Sequence, residues 1–517
     1  SFSATTRITA QSYHKTLRWI VERSSLVKPN ELVKRVAELG IEHIATPFEC
    51  SFYGFDVTPL PKEAYWVFRG NVPKVVTRPK NAEEVSSLMA LANELKVPVT
   101  PRGGGTSGYF QSVPRKSGIV LETLALKQIE AVDPDRLTVK VGAGAIWCEI
   151  ERALQKQGYT LKTYPTSYRS STVAGWMQTE GLGVGSLAFG NLKNLIREVE
   201  AVLPTGHIVK VGKGEIKETE LGIVKFDDFF KSEGMLGVIT QVELEVRKLP
   251  QSVKTFLLGF KDYAHFAEYA SKFNKVKAIY FLEFVNGAYM DLLLQSGFHS
   301  PEHTMDMFSA VIRLEGSKDD VEAGALQLDE MASSDSNIKK YSEEHATEEY
   351  GERLRYFRIK NAFTSVTPAD ISVPTSNLEL YIKSIFKLGF RIALKGEILT
   401  PETSGIMFFY VLANELSLVR FLSAAGYQME IILRAMKYGG APNGGIGLLN
   451  TPYVYGLLTP QERSTFIDLK ERLDPNWIMN PGKWTDPPFF LRPSIYFTGM
   501  KLLEPVCFIV GGLVRRW

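Results

Sequence analysis

The chain has 517 residues, 44% of them apolar, and its 60 Lys and Arg against 57 Asp and Glu leave a formal charge of only +3. That length can bury large cores and predicts two or three domains, and interspersed charges without a basic stripe exclude a nucleic-acid binder. Three scattered cysteines, Cys50, Cys148 and Cys507, exclude a disulfide framework, a CxxC redox pair and an iron–sulfur cluster held by this chain alone.

The first stretch, "SFSATTRITAQSYHKTLRWI", lacks the apolar h-region of a secretory signal, so cytoplasmic residence is the expectation. Next, "NELVKRVAELGI" places Leu32, Val33, Val36 and Leu39 at helical spacing. From Val75 the pattern reads strand ("PKVVTRP"), Asn-capped helix ("NAEEVSSLMALANELK") and strand ("VPVTP"). "GIVLETL", "LTVKVGAG" and "IREVEAVLPTGHIVKVG" continue as β-rich runs, with "IWCEIERALQKQG" a helix ended by Gly158. Beyond Pro250, "AHFAEYASKF" and "DDVEAGALQLDEMASS" read as amphipathic helices and "KAIYFLEFV" and "GIMFFYVLA" as strands. Two α+β domains sharing a broad interface are expected, with no repeat or low-complexity linker.

One loop carries a chemical signal. In "VTPRGGGTSGYF", Gly103, Gly104 and Gly105 follow a strand, and residues without a Cβ let successive N–H groups converge on one concavity suited to a diphosphate. Thr106 and Ser107 add hydroxyls and Arg102 a positive charge, and a valine at Gly104 is expected to project into the concavity. The loop is neither a Walker A motif nor GxGxxG, and "GLGVG" at Gly181–Gly185 lies between neither a clean strand nor a clean helix.

Five further runs follow in order: "PTSYRSSTVAGW" from Pro165, "GLGVGSLAFGN" from Gly181, "LPTGHIVKVG" from Leu203, "KSEGMLGVITQVELEVRKLP" from Lys231 and "LDPNWIMNPGKW" from Leu473. With "PRGGGTS" these resemble the vanillyl-alcohol oxidase superfamily of FAD-linked oxidases, which includes D-lactate dehydrogenases and the flavoprotein subunit of glycolate oxidase. The resemblance covers about Leu32 to Trp484. It implies an α+β fold: a two-lobed PCMH-type FAD-binding domain over 61–249, a ferredoxin-like cap over 250–445 for substrate, and a segment over 446–487 returning to the flavin. Residues 1–60 would be a helical N-terminal segment and 488–517 an apolar tail.

By motif position the resemblance implies that Pro101, Arg102, Gly103, Gly104, Gly105, Thr106 and Ser107 hold the pyrophosphate of FAD. Pro165, Thr166, Ser171, Thr172 and Gly175 would line its second side, with Gly181, Gly183 and Ser186 alongside. Gly237, Val238 and Ile239 would meet the adenosine, and Asn480 the isoalloxazine. No histidine is in the glycine loop and His207 lies in a strand turn, so the FAD is expected to be non-covalent.

In the cap the likeness weakens. Relatives that oxidise 2-hydroxy acids carry HxGxGNxH-type and GEHGxG-type runs, where this chain reads "ALKGEILTPETSG" and "YGGAPNGGIG". Asn443 and Gly444 replace the expected Glu and His, and no histidine follows His345, so no His-ligated metal is expected there. "ERLRYFRIKNAF" resembles an LWxxR run, giving Arg358 as an anion clamp or a surface arginine. "DISVP", Asp370–Pro374, matches a strand entering the cap core, with a structural role. Glu397, Tyr410 and Tyr453, with Lys395 and Tyr455 nearby, are the remaining candidates for base or substrate clamp.

The expected activity is oxidation of a small CH–OH substrate, a 2-hydroxy acid such as lactate or glycolate, by hydride transfer to the flavin. Electrons would pass to an iron–sulfur subunit, a cytochrome or a quinone. "GLGVGSLAFGN" and the missing cap histidines keep open a phenol oxidase or dehydrogenase of the vanillyl-alcohol oxidase type. A flavoprotein subunit that relays electrons in a larger complex is a further alternative. The tail from Phe489 has only Val506–Val514 as an unbroken apolar run, too short to span a bilayer of roughly 20 residues. It would touch the inner face of the membrane, another subunit, or the protein itself.

Overall fold

The computed structural model describes residues 29–58, 72–179, 181–298, 308–362, 368–388, 392–410, 416–443, 445, 447–499 and 501. Its first lobe is a small sheet in which strands Val75–Thr77 and Val99–Arg102 both run parallel to Ile119–Glu122, which lies between them. Parallel strands need a crossover, and helix Ala82–Glu94 supplies it. The Asn81 side chain accepts the Glu84 N–H at 2.8 Å, starting that helix, and Val85, Leu88, Met89 and Ala92 bury its inner face. Helix Pro29–Glu38 buries Leu32 and Val36 against the same core. Leu39, grouped with them by spacing, falls beyond the last helical residue and is exposed.

The second lobe is built on the long strand Val238–Lys248, paired antiparallel with Thr138–Gly142 on one side and Ile196–Val202 on the other. Ile208–Gly212 completes the hairpin, and its turn holds His207 and Gly206 at φ +93°. Helix Trp147–Gln155 packs Trp147, Ile150 and Leu154 onto this sheet, and Gly158 follows it at φ +82°. Trp147 and Trp176 meet edge to face at 5.1 Å.

The cap is one eight-stranded sheet, wholly antiparallel. Its order from edge to edge is Lys339–Lys340, Ser252–Phe260, Phe308–Gly316, Ile279–Asn286, Ile392–Thr400, Thr403–Tyr410, Pro368–Pro374 and Ala441–Pro442. Helices Tyr263–Phe273, Lys318–Ser334, Leu378–Phe386 and Leu418–Lys437 cover one face, where Phe266, Phe273, Leu328, Tyr381 and Ile431 form a continuous core. Leu257, Tyr280, Phe281 and Val311 point the other way and join the core of the second lobe. Burial on both faces explains why "KAIYFLEFV" reads as an unbroken apolar run instead of an alternating one.

The chain then returns to the first lobe. Val99 N–H donates to the Ile478 carbonyl at 2.8 Å and Asn480 N–H to the Val99 carbonyl at 2.8 Å, so residues 478–480 extend the edge of the parallel sheet. Of the apolar tail, Leu491 packs with Phe110, Val113 and Leu448, and Tyr496 and Phe497 lie against Tyr453. Its run Val506–Val514 lies outside the described residues. Among the described residues no helix is long and apolar enough to cross a membrane.

Candidate functional site

Strand Val99–Arg102 ends at the glycine triplet, which faces Ser170–Thr172 of the second lobe. A Cβ on Gly103 would overlap the Thr172 hydroxyl, and one on Gly104 the Ser170 carbonyl oxygen. Gly105 has φ +64°, and its Cβ would strike the Arg102 guanidinium. Gly103 and Gly104 are therefore demanded by close approach between the lobes, and Gly105 by its left-handed backbone and the Arg102 side chain beside it. This corrects the expectation for Gly104: a side chain there would drive the loop off the second lobe and would not enter the concavity.

Arg102 folds back over the loop. Its Nη1 donates to the Phe55 carbonyl at 2.8 Å, its guanidinium lies 5.4 Å from the Tyr53 ring centre, and burial lowers its basicity against the pull of Asp56. It staples residues 53–56 to the loop as well as adding charge. Thr172, on the facing wall, accepts the Gly175 N–H at 3.2 Å and caps the short helix Val173–Met177.

Between the lobes and the cap lies a cavity of about 550 Å³. Of the positions read as cofactor-binding, Pro101 through Ser107, Pro165, Thr166, Ser171, Thr172, Gly175, Gly181 and Gly237 through Ile239 line it. Two hydroxyls on its wall, Ser112 and Ser171, are buried without a hydrogen-bond partner among the described residues. Orphaned donors beside a bare glycine backbone fit the diphosphate and ribityl oxygens of a dinucleotide.

Three of those positions stand behind the wall. Ser186 Oγ accepts the Gly183 N–H at 2.9 Å and contacts Thr163 Oγ1 at 3.0 Å, and a Cβ on Gly183 would come within 2.6 Å of the Tyr164 carbonyl. Asn480, at φ +40°, donates its amide to the Glu233 carbonyl at 2.6 Å. It shapes the wall through Glu233, which does line the cavity and whose Oε1 accepts from Gln111 Nε2 at 3.0 Å and Gly447 N at 2.6 Å. Lys483, of "NPGK", is buried and donates to the carbonyls of Phe110 and Val113 at 2.6 and 3.0 Å, with its ammonium lowered to about 8 by burial.

The cavity continues to the cap, where Lys360, Asp370, Met407, Phe421, Gln428, Asn443 and Leu449 close it. None of the residues named for catalysis from sequence is among these. Arg358 gives its Nη1 to Glu352 at 2.6 Å and its Nη2 to the Gly297 carbonyl at 3.2 Å. Tyr453 is buried in the cap core with its hydroxyl 3.4 Å from that of Tyr496. Glu397 is buried on strand Ile392–Thr400, near Lys395, which pairs with Glu283 at 2.8 Å. Tyr410 pairs with Ile392 through its backbone, and its side chain, like that of Tyr455, lies outside the described residues, as does Gly444.

Asp370 is the residue that the sequence reading gave only a structural role. On strand Pro368–Pro374 its neighbours Ala369, Ile371 and Val373 enter the cap core, so the period of two turns Asp370 toward the cavity. Asn443 Nδ2 donates to its Oδ1 at 3.2 Å and Asn443 N to its backbone carbonyl at 3.0 Å. Burial lifts its carboxyl to about 7 against the opposing Asn443 hydrogen bond. A lone acid alternating with β-branched core residues was the available signal.

The comparisons agree with this geometry. An FAD binding domain model matches residues 73–212, and a model for the C-terminal domain of FAD linked oxidases matches residues 249–484. The glycolate oxidase subunit GlcD of Bacillus subtilis is 25% identical over 447 residues, 83% of this chain and 91% of its own. A D-lactate dehydrogenase of Anaerostipes hadrus is 26% identical over 444 residues, 80% of this chain and 89% of its own. The solved structure of p-cresol methylhydroxylase with substrate bound shares the fold at TM-score 0.74 and 15% identity, over 89% of this chain and 98% of that one. With both domain models matched in order around a cavity walled by the glycine loop, the chain belongs to the FAD-linked oxidases and dehydrogenases that carry a PCMH-type FAD-binding domain.

Proposed function

We propose that the chain oxidises a small 2-hydroxy acid of the lactate and glycolate class, with FAD held non-covalently, and delivers the electrons to a partner protein or quinone. The single observation that carries this reading is the continuity of the cavity, from the glycine loop to a cap end bearing Lys360, Asp370, Gln428 and Asn443. Bound FAD supplies the hydride acceptor. The chain's own residues bind, orient and shield. Pro101–Ser107 and Ser171 hold the dinucleotide, and the described lining offers no histidine or cysteine for a covalent link. Lys360 replaces Arg358 as the anchor for a substrate carboxylate, because Arg358 is engaged with Glu352 while Lys360 borders the cavity.

The relatives' names support the substrate class, and GlcD's description as a subunit supports a complex. An acceptor at the inner face of the cytoplasmic membrane, reached through 488–517, fits the apolar tail. Met407, Phe421 and Leu449 at the cap end favour a second reading, a phenolic substrate stacked on apolar side chains. Anaerobic addition of D-lactate, glycolate and a para-substituted phenol to the purified flavoprotein separates the two. Bleaching of the flavin by a hydroxy acid is expected, and bleaching by the phenol alone would replace the first reading with the second.

A further inference from the structure

The cap lacks the histidines that its family resemblance led us to expect, yet removing a hydride from a CH–OH carbon still requires somewhere for the hydroxyl proton to go. Among the described residues no histidine lines the cavity: His43 lies at the sheet edge, His207 in a hairpin, His265 beside Asp335, and His345 on helix Glu343–Glu352. We propose that Asp370 is the proton acceptor for the substrate hydroxyl, with Asn443 as the positioning residue that orients its carboxylate.

This rests on the reading of the site as one for CH–OH oxidation, and four observations carry it. Asp370 lines the same cavity as the glycine loop and Lys360, so a substrate held there through its carboxylate occupies a space that the Asp370 side chain borders. Its Oδ1 takes the Asn443 amide, and among the described residues no other hydrogen bond or ion pair reaches the carboxyl, which leaves Oδ2 for a substrate. The pair is held stiffly, because Ala441–Pro442 is zipped onto Ile371–Ser372 as the edge strand and Asn443 N–H bonds the Asp370 carbonyl. The charged and titratable groups around it are few: Tyr109 from the glycine-loop side, whose phenol is held up by burial and then by Asp370, and Lys360, Glu233 and Arg102 on the cavity wall.

In the step, the O–H bond breaks and its proton passes to the Asp370 carboxylate. With FAD bound, its flavin would accept the carbon's hydrogen together with both electrons as the carbon–oxygen bond becomes double. Asp370 then returns the proton to solvent. A carboxyl that ionises close to neutrality is matched to this task, since near neutral pH a substantial share of it is ionised and that carboxylate is basic enough to accept a proton.

The test uses the full chain loaded with FAD and follows anaerobic bleaching by D-lactate, glycolate or a para-substituted phenol as a function of pH, beside an infrared titration of the carboxyl groups that needs no turnover. In the wild type the bleaching rate should rise with pH to a plateau, and the infrared spectrum should contain, beside bands of other acids raised by burial such as Asp56, Glu283 and Asp486, a protonated-carboxyl band that titrates in the same range. Asp370→Asn should keep its flavin, lose that infrared band and bleach about 10²–10⁴-fold more slowly. Asn443→Ala removes a donor that favours the ionised carboxylate, so both midpoints should move to higher pH, a shift that loss of packing alone would not give. A wild-type flavin that bleaches beside an Asp370→Asn flavin that bleaches equally fast would overturn Asp370 alone. A wild-type flavin that none of the three reduces would overturn the CH–OH and phenol readings, and the role of Asp370 with them.

Discussion

Gly103 and Gly104 are neighbours in one loop, yet a methyl group on each would meet different resistance. At Gly103 it meets the Thr172 hydroxyl, the end of a side chain that can rotate away at the cost of its cap to Gly175, about 1 kcal/mol. At Gly104 it meets the Ser170 backbone carbonyl, which cannot rotate without moving the second lobe. Gly104→Ala is therefore expected to purify with little or no flavin, and Gly103→Ala with a large fraction of it, as read from visible absorbance per chain. Equal flavin content in the two would refute this reading of the loop. Asp370 yields a prediction of another kind. Its carboxyl sits at about 7 instead of the ordinary 3.8, so between those values the folded chain holds a proton that the unfolded chain has released. Folding stability from this group thus falls as pH rises through the window, and the full penalty applies above about 7. Asp370→Asn should be more stable than the wild type above neutrality and lose that advantage below about pH 4, as denaturant midpoints across pH would show. That glycines were required was legible from "PRGGGTS"; what Gly103 and Gly104 were required by was not, because the clashing atoms come from residues 172 and 170.

At the scale of elements, helices declared themselves more fully than sheets. Helix Ala82–Glu94 was readable from Asn81 and its apolar spacing because both its cap and its buried face are set within the segment itself. Asn81→Ala should cost about 1 kcal/mol in chemical denaturation and leave flavin content unchanged, since neither Asn81 nor any residue of the helix lines the cavity. Strand partners carry no such local mark. Asp370 and Asn443 lie 73 positions apart and meet only because Ala441–Pro442 pairs with Ile371–Ser372. In the same way "ERLRYFRIKNAF" drew attention to Arg358, but the short helical turn it forms presents Lys360 to the cavity and spends Arg358 on Glu352. Motif position found the segment, and only its three-dimensional course decided which side chain faced in.

For the whole molecule, the question is what fixes the returning segment beside the Met235 and Glu233 stretch, since the cavity wall at Glu233 is braced by Asn480. The answer lies in a buried knot. Lys470 Nζ reaches the carbonyls of Met235 at 2.7 Å and Met479 at 2.8 Å and the Asp474 carboxylate at 2.5 Å. Asp474 in turn accepts the amides of Ile478 and Met479 at 3.0 and 2.8 Å. Both charges are inaccessible to solvent, so removing one partner leaves the other buried and unpaired. Lys470→Met should cost about 3–5 kcal/mol, and the double variant with Asp474→Leu should recover only part of it, because the Ile478 and Met479 amides would still lack an acceptor. The flavin gives a second reading of the same knot. A ligand that binds only the folded chain adds about 2.7 kcal/mol at a hundredfold excess over its Kd, so wild-type unfolding should shift upward with added FAD. If the knot sets the wall that FAD rests on, Lys470→Met should need more FAD to gain the same shift, as well as starting lower. A variant that starts lower but responds to FAD as the wild type does would show that the knot stabilises the fold without shaping the site.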